Sequence, residues 1–252
     1  MEKEENTSFE LAKLIPNIIT LSSLCIGLFA VRMAIIGDFV SALYCIIVSC
    51  LCDGLDGNVA RRLNASSEFG AQLDSLSDFF SFGIAPGFVV YFWKMQYSEM
   101  YRPIAWIPVL LLAVCMAIRL ARFNVGLVTE DKENPLNKYF FKGVPAPMAA
   151  ALVMLPMAMS FEFGLNIAPI FVIINTSIIA LMAGSTIPTP CFKKIKFKTT
   201  QRQLILVVIA LFLIGLLVKT FFTAVLICYL YVISIVLSWF YYIKFKREQN
   251  NS

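Results

Sequence analysis

The feature that most constrains this chain is a series of long apolar stretches that recurs from residue 16 to residue 243. A helix needs roughly 20 predominantly apolar residues to cross the hydrocarbon layer of a bilayer. Eight spans are predicted, at residues 16–36, 39–62, 67–93, 103–125, 145–161, 165–185, 203–218 and 220–243. The expected fold is therefore all-α and integral to the membrane, a polytopic bundle of about eight transmembrane helices. Pro16 is expected in the first turn of the first span, where its missing N–H is harmless.

Composition argues against the other broad classes. Hydrophobic residues make up 59% of the chain and charged residues 15%, whereas soluble domains carry roughly 45–50% and about 25%. A soluble enzyme, a disordered tail and a disulfide scaffold are all disfavoured. The sequence contains no histidine, so any general base must be a carboxylate, Lys, Tyr or Cys.

The distribution of cations predicts the orientation in the membrane. With the N-terminus in the cytoplasm and eight spans, the cytoplasmic side receives nearly all of the 21 Lys and Arg residues. The exceptions are Arg32, Lys94, Arg102 and Lys219. Because short cytoplasmic loops carry an excess of positive charge, both termini are expected in the cytoplasm, with the protein in the inner membrane. Lys193–Lys198 is interpreted first as a topology anchor and second as a contact with anionic lipids.

Four aspartates interrupt the apolar pattern at the end of span two and the start of span three. Asp53 and Asp56 are three residues apart, and Asp74 and Asp78 are four apart, so each pair shares one helix face. If residues 63–66 turn the chain back, the two helices form an antiparallel hairpin with all four carboxylates at matched depths. An isolated aspartate near the bilayer centre costs roughly 2.5–3.5 kcal/mol on insertion scales, so the cluster must be neutralised.

Two divalent cations would cancel the four negative charges. Hard oxygen ligands without histidine or cysteine favour Mg²⁺ or Mn²⁺, and a pair of such ions is a known device for phosphoryl displacement. Small residues flank the carboxylates at Gly57, Ala60 and Gly70, and they would let a bulky group approach the helix backbone. Close helix packing is the alternative interpretation of these small residues.

The spacing of this region resembles a family signature, that of the CDP-alcohol phosphatidyltransferases. The pattern reads Asp53-x2-Asp56-Gly57-x2-Ala60-Arg61-x8-Gly70-x3-Asp74-x3-Asp78, and every position of the signature is filled. Two further segments, Arg119–Asn124 and Phe141–Pro147, make the chain most similar to membrane-integral members whose acceptor is L-serine. The likeness covers roughly residues 15–185.

The resemblance implies a reaction and roles for the motif residues. The phosphatidyl group of CDP-diacylglycerol would pass to the hydroxyl of L-serine, giving phosphatidylserine and CMP. Metal would be bound by Asp53, Asp56 and Asp74, and Asp78 would complete the metal site and act as the general base. The residues implied to border the cytidine nucleotide are Gly57, Ala60, Arg61 and Gly70. The family tends to form homodimers. A metal-assisted single displacement, without a phosphatidyl-enzyme, is expected.

The acceptor site is predicted from cations near the end of span four. Arg119 and Arg122 are three residues apart and share a helix face, and a guanidinium suits the carboxylate of serine. Lys142 is a further candidate. The alternative for the arginines is that they anchor the helix end at the membrane interface.

Five segments are expected along the chain. They are a cytoplasmic N-terminal segment or interfacial helix (1–15), a catalytic transmembrane core (16–185), a cytoplasmic basic loop (186–202), a C-terminal transmembrane pair (203–245) and a cytoplasmic tail (246–252).

Two alternative functions remain open at this level. One is the same chemistry with another acceptor, glycerol 3-phosphate or inositol phosphate. The other is a divalent-cation transporter that uses the aspartate cluster as its ion path. No nucleic-acid partner is expected, because the sequence has no basic and aromatic recognition motif.

Overall fold

The computed structural model describes residues 2–63, 65–97, 99–128, 140–190 and 199–250. Helices account for almost all of this part of the chain. They are α1 (Glu2–Ile35), α2 (Phe39–Arg62), α3 (Glu68–Met95), α4 (Ile107–Val128), α5 (Ala146–Phe163), α6 (Pro169–Gly184), α7 (Thr199–Val218) and α8 (Thr220–Asn250). Two short strands, β1 (Phe140–Lys142) and β2 (Pro188–Pro190), form an antiparallel pair.

Six helices within the described residues are long and apolar enough to cross a membrane. They are α1 (from Leu14), α2, α3, α4, α5 and α8. Helix α6 is apolar but has only 16 residues. The predicted all-helical, multi-pass membrane fold is confirmed, and the number of eight crossings is approximate. The cations of Lys193–Lys198 lie outside the described residues.

Helix α1 is continuous from Glu2 to Ile35, with Pro16 inside it. Pro16 lies in the first turn of the membrane-spanning portion, which begins at Leu14, as predicted. The helix itself begins earlier, at Glu2, so Pro16 is inside the helix and the expectation that its missing N–H is harmless is wrong.

Helix α3 is a single rod with two wide π-helical turns, at Phe79–Ile84 and Tyr91–Met95. Pro86 follows the first of them, and it can neither donate a backbone hydrogen bond nor tolerate the carbonyl four residues before it. A local π turn relieves that conflict. The widened turn begins directly after Asp78, which is consistent with the frequent occurrence of such turns at functional sites.

Helix α1 connects the two helices that carry the aspartates. The hydroxyls of Ser23 on α1 and Ser49 on α2 are hydrogen-bonded at 2.7 Å. On α3, Ser77 donates to the carbonyl of Thr20 at 3.0 Å and Ser81 donates to that of Ser23 at 3.3 Å. Sequence reasoning predicted a two-helix hairpin, and the structure adds α1 as a third helix that packs against both.

The remaining helices cover the other side of α3. A Cβ atom at Gly83 would lie 2.9 Å from the Cβ of Met116, so α3 and α4 are in close contact there. Helix α8 packs against α5 and against β2. This arrangement brings the C-terminal helix towards the end of the bundle where the aspartates lie.

Candidate active site

Three of the predicted aspartates converge in space. One carboxylate oxygen from each of Asp53, Asp56 and Asp74 lies within 4.8 Å of the other two. Asp56 is buried, and Asp53 and Asp74 are half-buried. The helical spacing brings Asp53 and Asp56 to one face of α2, and α3 presents Asp74 from the opposite side.

Asp78 lies one helical turn beyond Asp74. Its carboxyl group is hydrogen-bonded to that of Asp53 and lies close to Asp74. The guanidinium of Arg119 on α4 is the cation that faces it. The fourth aspartate therefore adjoins the group of three, between that group and Arg119.

The orientation of Asp56 is fixed by a residue that sequence reasoning missed. The hydroxyl of Thr20 on α1 donates to the Asp56 carboxylate at 2.8 Å, and the backbone N–H of Gly57 donates to its other oxygen. A signal was present, since Asn17, Thr20 and Ser23 form a polar stripe at three-residue spacing on an apolar helix.

A cavity of about 170 Å³ opens beside the carboxylates. It is lined by every residue predicted to border a nucleotide, together with residues of α1 and the turn before α3. The lining comprises Pro16, Asn17, Thr20, Asp56, Gly57, Ala60, Arg61, Ala65, Ser66, Ser67, Gly70, Ala71 and Asp74.

The glycines make room in this cavity. A Cβ atom at Gly57 would meet nothing nearer than Nη1 of Arg61, at 3.6 Å, so it would point into open space. At Gly70 it would lie 3.1 Å from both Oδ1 of Asn17 and Oγ of Ser67. The Arg61 guanidinium, which is exposed, donates to Oδ1 of Asn58 at 2.7 Å. The wall is therefore flat at Gly57, with a positive charge at its rim.

The start of α3 also faces the cavity. Ser67 is its N-cap and accepts a hydrogen bond from the backbone N–H of Gly70 at 3.0 Å. The positive end of a helix dipole favours anionic groups. The cavity thus offers carboxylates on one wall, with an exposed arginine and a helix N-terminus on another, which suits a cation together with a phosphate-bearing molecule.

The three predicted acceptor residues are placed differently. Arg119 is half-buried and adjoins Asp78. Arg122 is exposed and donates to the backbone carbonyls of Gly184 and Ser185 at the end of α6. The backbone of Lys142 lies in β1 opposite Pro188, and its side chain lies outside the described part of the chain.

The chemistry of the cluster fits a divalent metal. Its three convergent ligands are carboxylate oxygens, which hard cations such as Mg²⁺ and Mn²⁺ prefer. Like charges this close in a low-dielectric setting repel strongly, and a bound cation would remove that repulsion.

The fold and this site together define a multi-pass membrane protein with an acidic cluster suited to metal. The family model for CDP-alcohol phosphatidyltransferase matches residues 13–181, about two thirds of the chain. The chain belongs to this family, whose members generally depend on divalent metal. Helices α7 and α8 lie beyond the matched residues.

Curated relatives share the same name, CDP-diacylglycerol–serine O-phosphatidyltransferase. One from Mycobacterium leprae is 38% identical over 152 residues, covering 60% of this chain and 49% of the relative. One from Helicobacter pylori is 35% identical over 201 residues, covering 79% and 81%. One from Bacillus subtilis is 31% identical over 183 residues, covering 71% and 92%. The chain thus spans about half the length of the mycobacterial relatives that it matches.

Proposed function

We propose that this protein transfers the phosphatidyl group of CDP-diacylglycerol to the hydroxyl of L-serine, with phosphatidylserine and CMP as products. The observation that carries the proposal is the convergence of Asp53, Asp56 and Asp74 beside a cavity lined by Gly57, Ala60 and Gly70. The names of the relatives support serine as the acceptor.

Asp53, Asp56, Asp74 and Asp78 would hold Mg²⁺ or Mn²⁺, with two ions matching the four carboxylates. When bound, the ions would neutralise the diphosphate of the substrate and the charge that develops on departing CMP. The chain prepares this site through Thr20, whose hydrogen bond to Asp56 orients one ligand.

The cytidine nucleotide would occupy the cavity beside the cluster. The absence of a side chain at Gly57 allows a flat ring to approach the α2 backbone. Ala60 and Gly70 line the neighbouring wall and leave space there because they are small. Arg61 would lie at the rim, where its charge favours the phosphates.

The lipid tail has a separate place in this proposal. An almost wholly apolar cavity of about 150 Å³ lies between α2, α5, α7 and α8, and Cys50, Pro147, Ala151 and Ala224 are among its lining residues. Cys50 is also close to Asp53 and Asp78. An acyl chain in this cavity would leave the diphosphate at the carboxylates, which supports entry of the lipid from the bilayer.

Asp78 would act as the general base. It accepts the proton of the serine hydroxyl as that oxygen bonds to the lipid-side phosphorus, and the bond from this phosphorus to the CMP phosphate oxygen breaks. The nearby serines donate their hydroxyls to backbone carbonyls and not to a carboxylate that could activate them as nucleophiles. Ser75 donates to Ala71, Ser77 to Thr20 and Ser81 to Ser23. This supports transfer in one displacement, and isolation of a phosphatidyl-enzyme would contradict it.

The acceptor carboxylate would pair with Arg119, the half-buried cation beside Asp78. Arg122 and Lys142 would add positive charge at the outer edge of the acceptor site. Of the two arginines, Arg119 is the better placed, because the Arg122 guanidinium is hydrogen-bonded to the end of α6.

The proposal includes an orientation and an assembly. Both termini and the active site would face the cytoplasm from the inner membrane, since this places most Lys and Arg residues inside. The catalytic core would be residues 16–185, followed by a basic loop (186–202), a helix pair (203–245) and a tail (246–252). Residues 1–15 would precede the core on the cytoplasmic side. The protein would work as a homodimer.

The test uses purified full-length protein in lipid nanodiscs. CMP release from CDP-diacylglycerol is measured with and without L-serine, with Mg²⁺, with Mn²⁺ and after chelation, and the lipid product is identified by mass spectrometry. Serine-dependent, metal-dependent formation of phosphatidylserine is expected. Turnover only with glycerol 3-phosphate or inositol phosphate would assign another acceptor. Ion flux into proteoliposomes without CMP release would favour the transporter.

A further inference from the structure

Tyr231 belongs to α8, which lies outside the residues matched by the family model. It is nevertheless directed into the bundle towards the acidic site. The ring is half-buried, and the hydroxyl oxygen is buried next to Thr189 of β2 and Arg119 of α4. The C-terminal helix therefore contributes a polar group beside the arginine that faces Asp78.

Two polar atoms at this point lack partners. The hydroxyl of Tyr231 and Nε of Arg119 are both buried, and neither makes a hydrogen bond within the described residues. Buried polar atoms in proteins are nearly always paired, so an unpaired one calls for a ligand, an ion or a water molecule. The two groups interact electrostatically, and both can donate to an anionic group bound between them.

The surroundings hold these two donors in place. The hydroxyl of Thr189 donates to the carbonyl of Gly143 at 2.8 Å. A Cβ atom at Gly143 would lie 2.8 Å from the carbonyl oxygens of Ala183 and Ser185, so this end of the β1–β2 pair is tightly packed against the end of α6. The strand beside Tyr231 is thus held firmly, and the hydrogen bond to Gly143 fixes the Thr189 oxygen next to the Tyr231 hydroxyl.

Arg119 links this pair of donors to the reacting groups. It interacts electrostatically with Asp78 and Asp53 and also with Tyr231. A molecule that binds its carboxylate at Arg119 and Tyr231 would have a short substituent within reach of Asp78. A β-hydroxy amino acid has this form, with the carboxylate at one end and the hydroxyl at the other.

We infer that Tyr231 determines acceptor specificity by donating a hydrogen bond to the carboxylate that Arg119 binds. The inference rests on the proposed function. It assigns the C-terminal helix pair a role in recognition of the amino-acid acceptor, in addition to its place in the membrane. Sites built to pair with a polar group reject analogues that lack it, because their own buried groups then stay unpaired.

The test compares Tyr231→Phe with the matched variant Tyr229→Phe. Tyr229 lies on the same helix, is exposed, and its hydroxyl contacts only the sulfur of Met159 in the described residues, at 3.8 Å. For Tyr231→Phe, the KM for L-serine should rise about tenfold, as expected for one hydrogen bond to a charged group. The KM for CDP-diacylglycerol and the kcat at saturating serine should stay within about twofold. Tyr229→Phe should match the wild type in all three.

Serinamide, which lacks the carboxylate, gives a second measurement. The wild-type preference for serine over serinamide should fall in Tyr231→Phe by the same factor as the serine KM rises. A wild-type serine KM in Tyr231→Phe would overturn the inference alone. An equal rise in the KM for L-serine and the KM for CDP-diacylglycerol would assign Tyr231 a structural role and would also overturn the inference. Absence of serine transfer by the wild type would instead reject the proposed function, and the inference with it.

Discussion

Thr20 donates its hydroxyl to the carboxylate of Asp56 across the interface of α1 and α2, at an oxygen-to-oxygen distance of 2.8 Å. The same hydroxyl lies 3.1 Å from the carbonyl of Pro16. Thr20 and Asp56 are both buried. Because the carboxylate has only a few rotamers that keep this bond, α1 controls how Asp56 faces Asp53 and Asp74, although α1 supplies no carboxylate of its own to the cluster.

Replacement of Thr20 by Val should therefore weaken metal binding without removing a ligand. Valine preserves the shape and loses the hydroxyl. The concentration of Mn²⁺ or Mg²⁺ that gives half-maximal CMP release should rise about tenfold or more, in the range for loss of a partner that orients a ligand. Thr20→Ser should restore wild-type behaviour. Ser22→Ala serves as the control, because Ser22 is exposed and donates to the carbonyl of Ile18 on the same helix. An unchanged metal requirement in Thr20→Val would refute this role.

Removal of a clustered carboxylate should abolish turnover. Asp53→Asn, Asp56→Asn and Asp74→Asn each take one charge from the group within 4.8 Å. Activity should fall by more than about 100-fold, beyond the effect of losing an orienting partner, and stabilisation of the purified protein by Mn²⁺ in thermal unfolding should disappear. Glu162→Gln, a carboxylate removed near the end of α5, should retain both. Near-normal activity in any of the three aspartate variants would contradict the proposed metal site.

A methyl group added at Gly57 should obstruct the nucleotide. Its Cβ atom would enter open cavity space near Arg61, while alanine in place of glycine favours the helix by about 1 kcal/mol. Gly57→Ala should thus be at least as stable as the wild type but have a KM for CDP-diacylglycerol raised about tenfold, the effect of about 1.4 kcal/mol in binding.

Gly54→Ala is the matched control for this substitution. Gly54 lies on the same helix, is exposed and has no heavy atom within 4 Å of the added Cβ position. Kinetic constants should equal those of the wild type. If both variants raise the KM equally, the effect comes from the helix rather than from the cavity wall.

Local periodicity explains why the acidic cluster could be predicted. Spacings of three and four residues fix which side chains share a helix face, so Asp53 with Asp56 and Asp74 with Asp78 needed no tertiary information. The small residues of the cavity follow from the same spacing. The multi-pass helical fold, which is confirmed, could likewise be predicted, because the lengths of the apolar stretches match the thickness of a bilayer.

Contacts between distant segments could not be predicted in this way. The pairing of Thr20 with Asp56 and the approach of Tyr231 to Arg119 depend on how helices pack, which the spacing within one helix does not encode. The β1–β2 pair was also missed. Pro188 and Pro190 lack backbone N–H groups and argue against a strand, yet the two prolines flank Thr189 in a short two-stranded pair.

Acid should remove the contribution of the cap at the start of α2. Asp38, an exposed residue between α1 and α2, accepts hydrogen bonds from the hydroxyl and the backbone N–H of Ser41, at 2.6 and 3.0 Å. These bonds lower the pKa of Asp38 in the folded protein. The stabilisation is therefore fully present above the unfolded pKa of roughly 3.9 and is lost as the pH falls through the lower folded value.

The measurement is thermal unfolding of the wild type and Asp38→Ala between pH 7 and pH 2.5. The variant should have the lower Tm at neutral pH, and the difference should narrow below about pH 4. For Ser41→Ala, which removes one of the donors, the difference in Tm from the wild type should narrow over the same pH range. A difference in Tm that is constant with pH would show that ionisation of Asp38 does not contribute.

Substitution of the two arginines of α4, Arg119 and Arg122, should have different effects on serine binding and on stability. Arg119 adjoins Asp78 and is half-buried, with an unpaired Nε among the described residues, whereas Arg122 is hydrogen-bonded to the carbonyls of Gly184 and Ser185. Arg119→Gln should raise the KM for serine by about tenfold or more, because a charged hydrogen-bond donor to the carboxylate is lost. Arg122→Gln should lower the Tm and raise the serine KM less than Arg119→Gln does. An unchanged serine KM in Arg122→Gln would remove Arg122 from the acceptor site, and an unchanged value in Arg119→Gln would reject the carboxylate site next to Asp78.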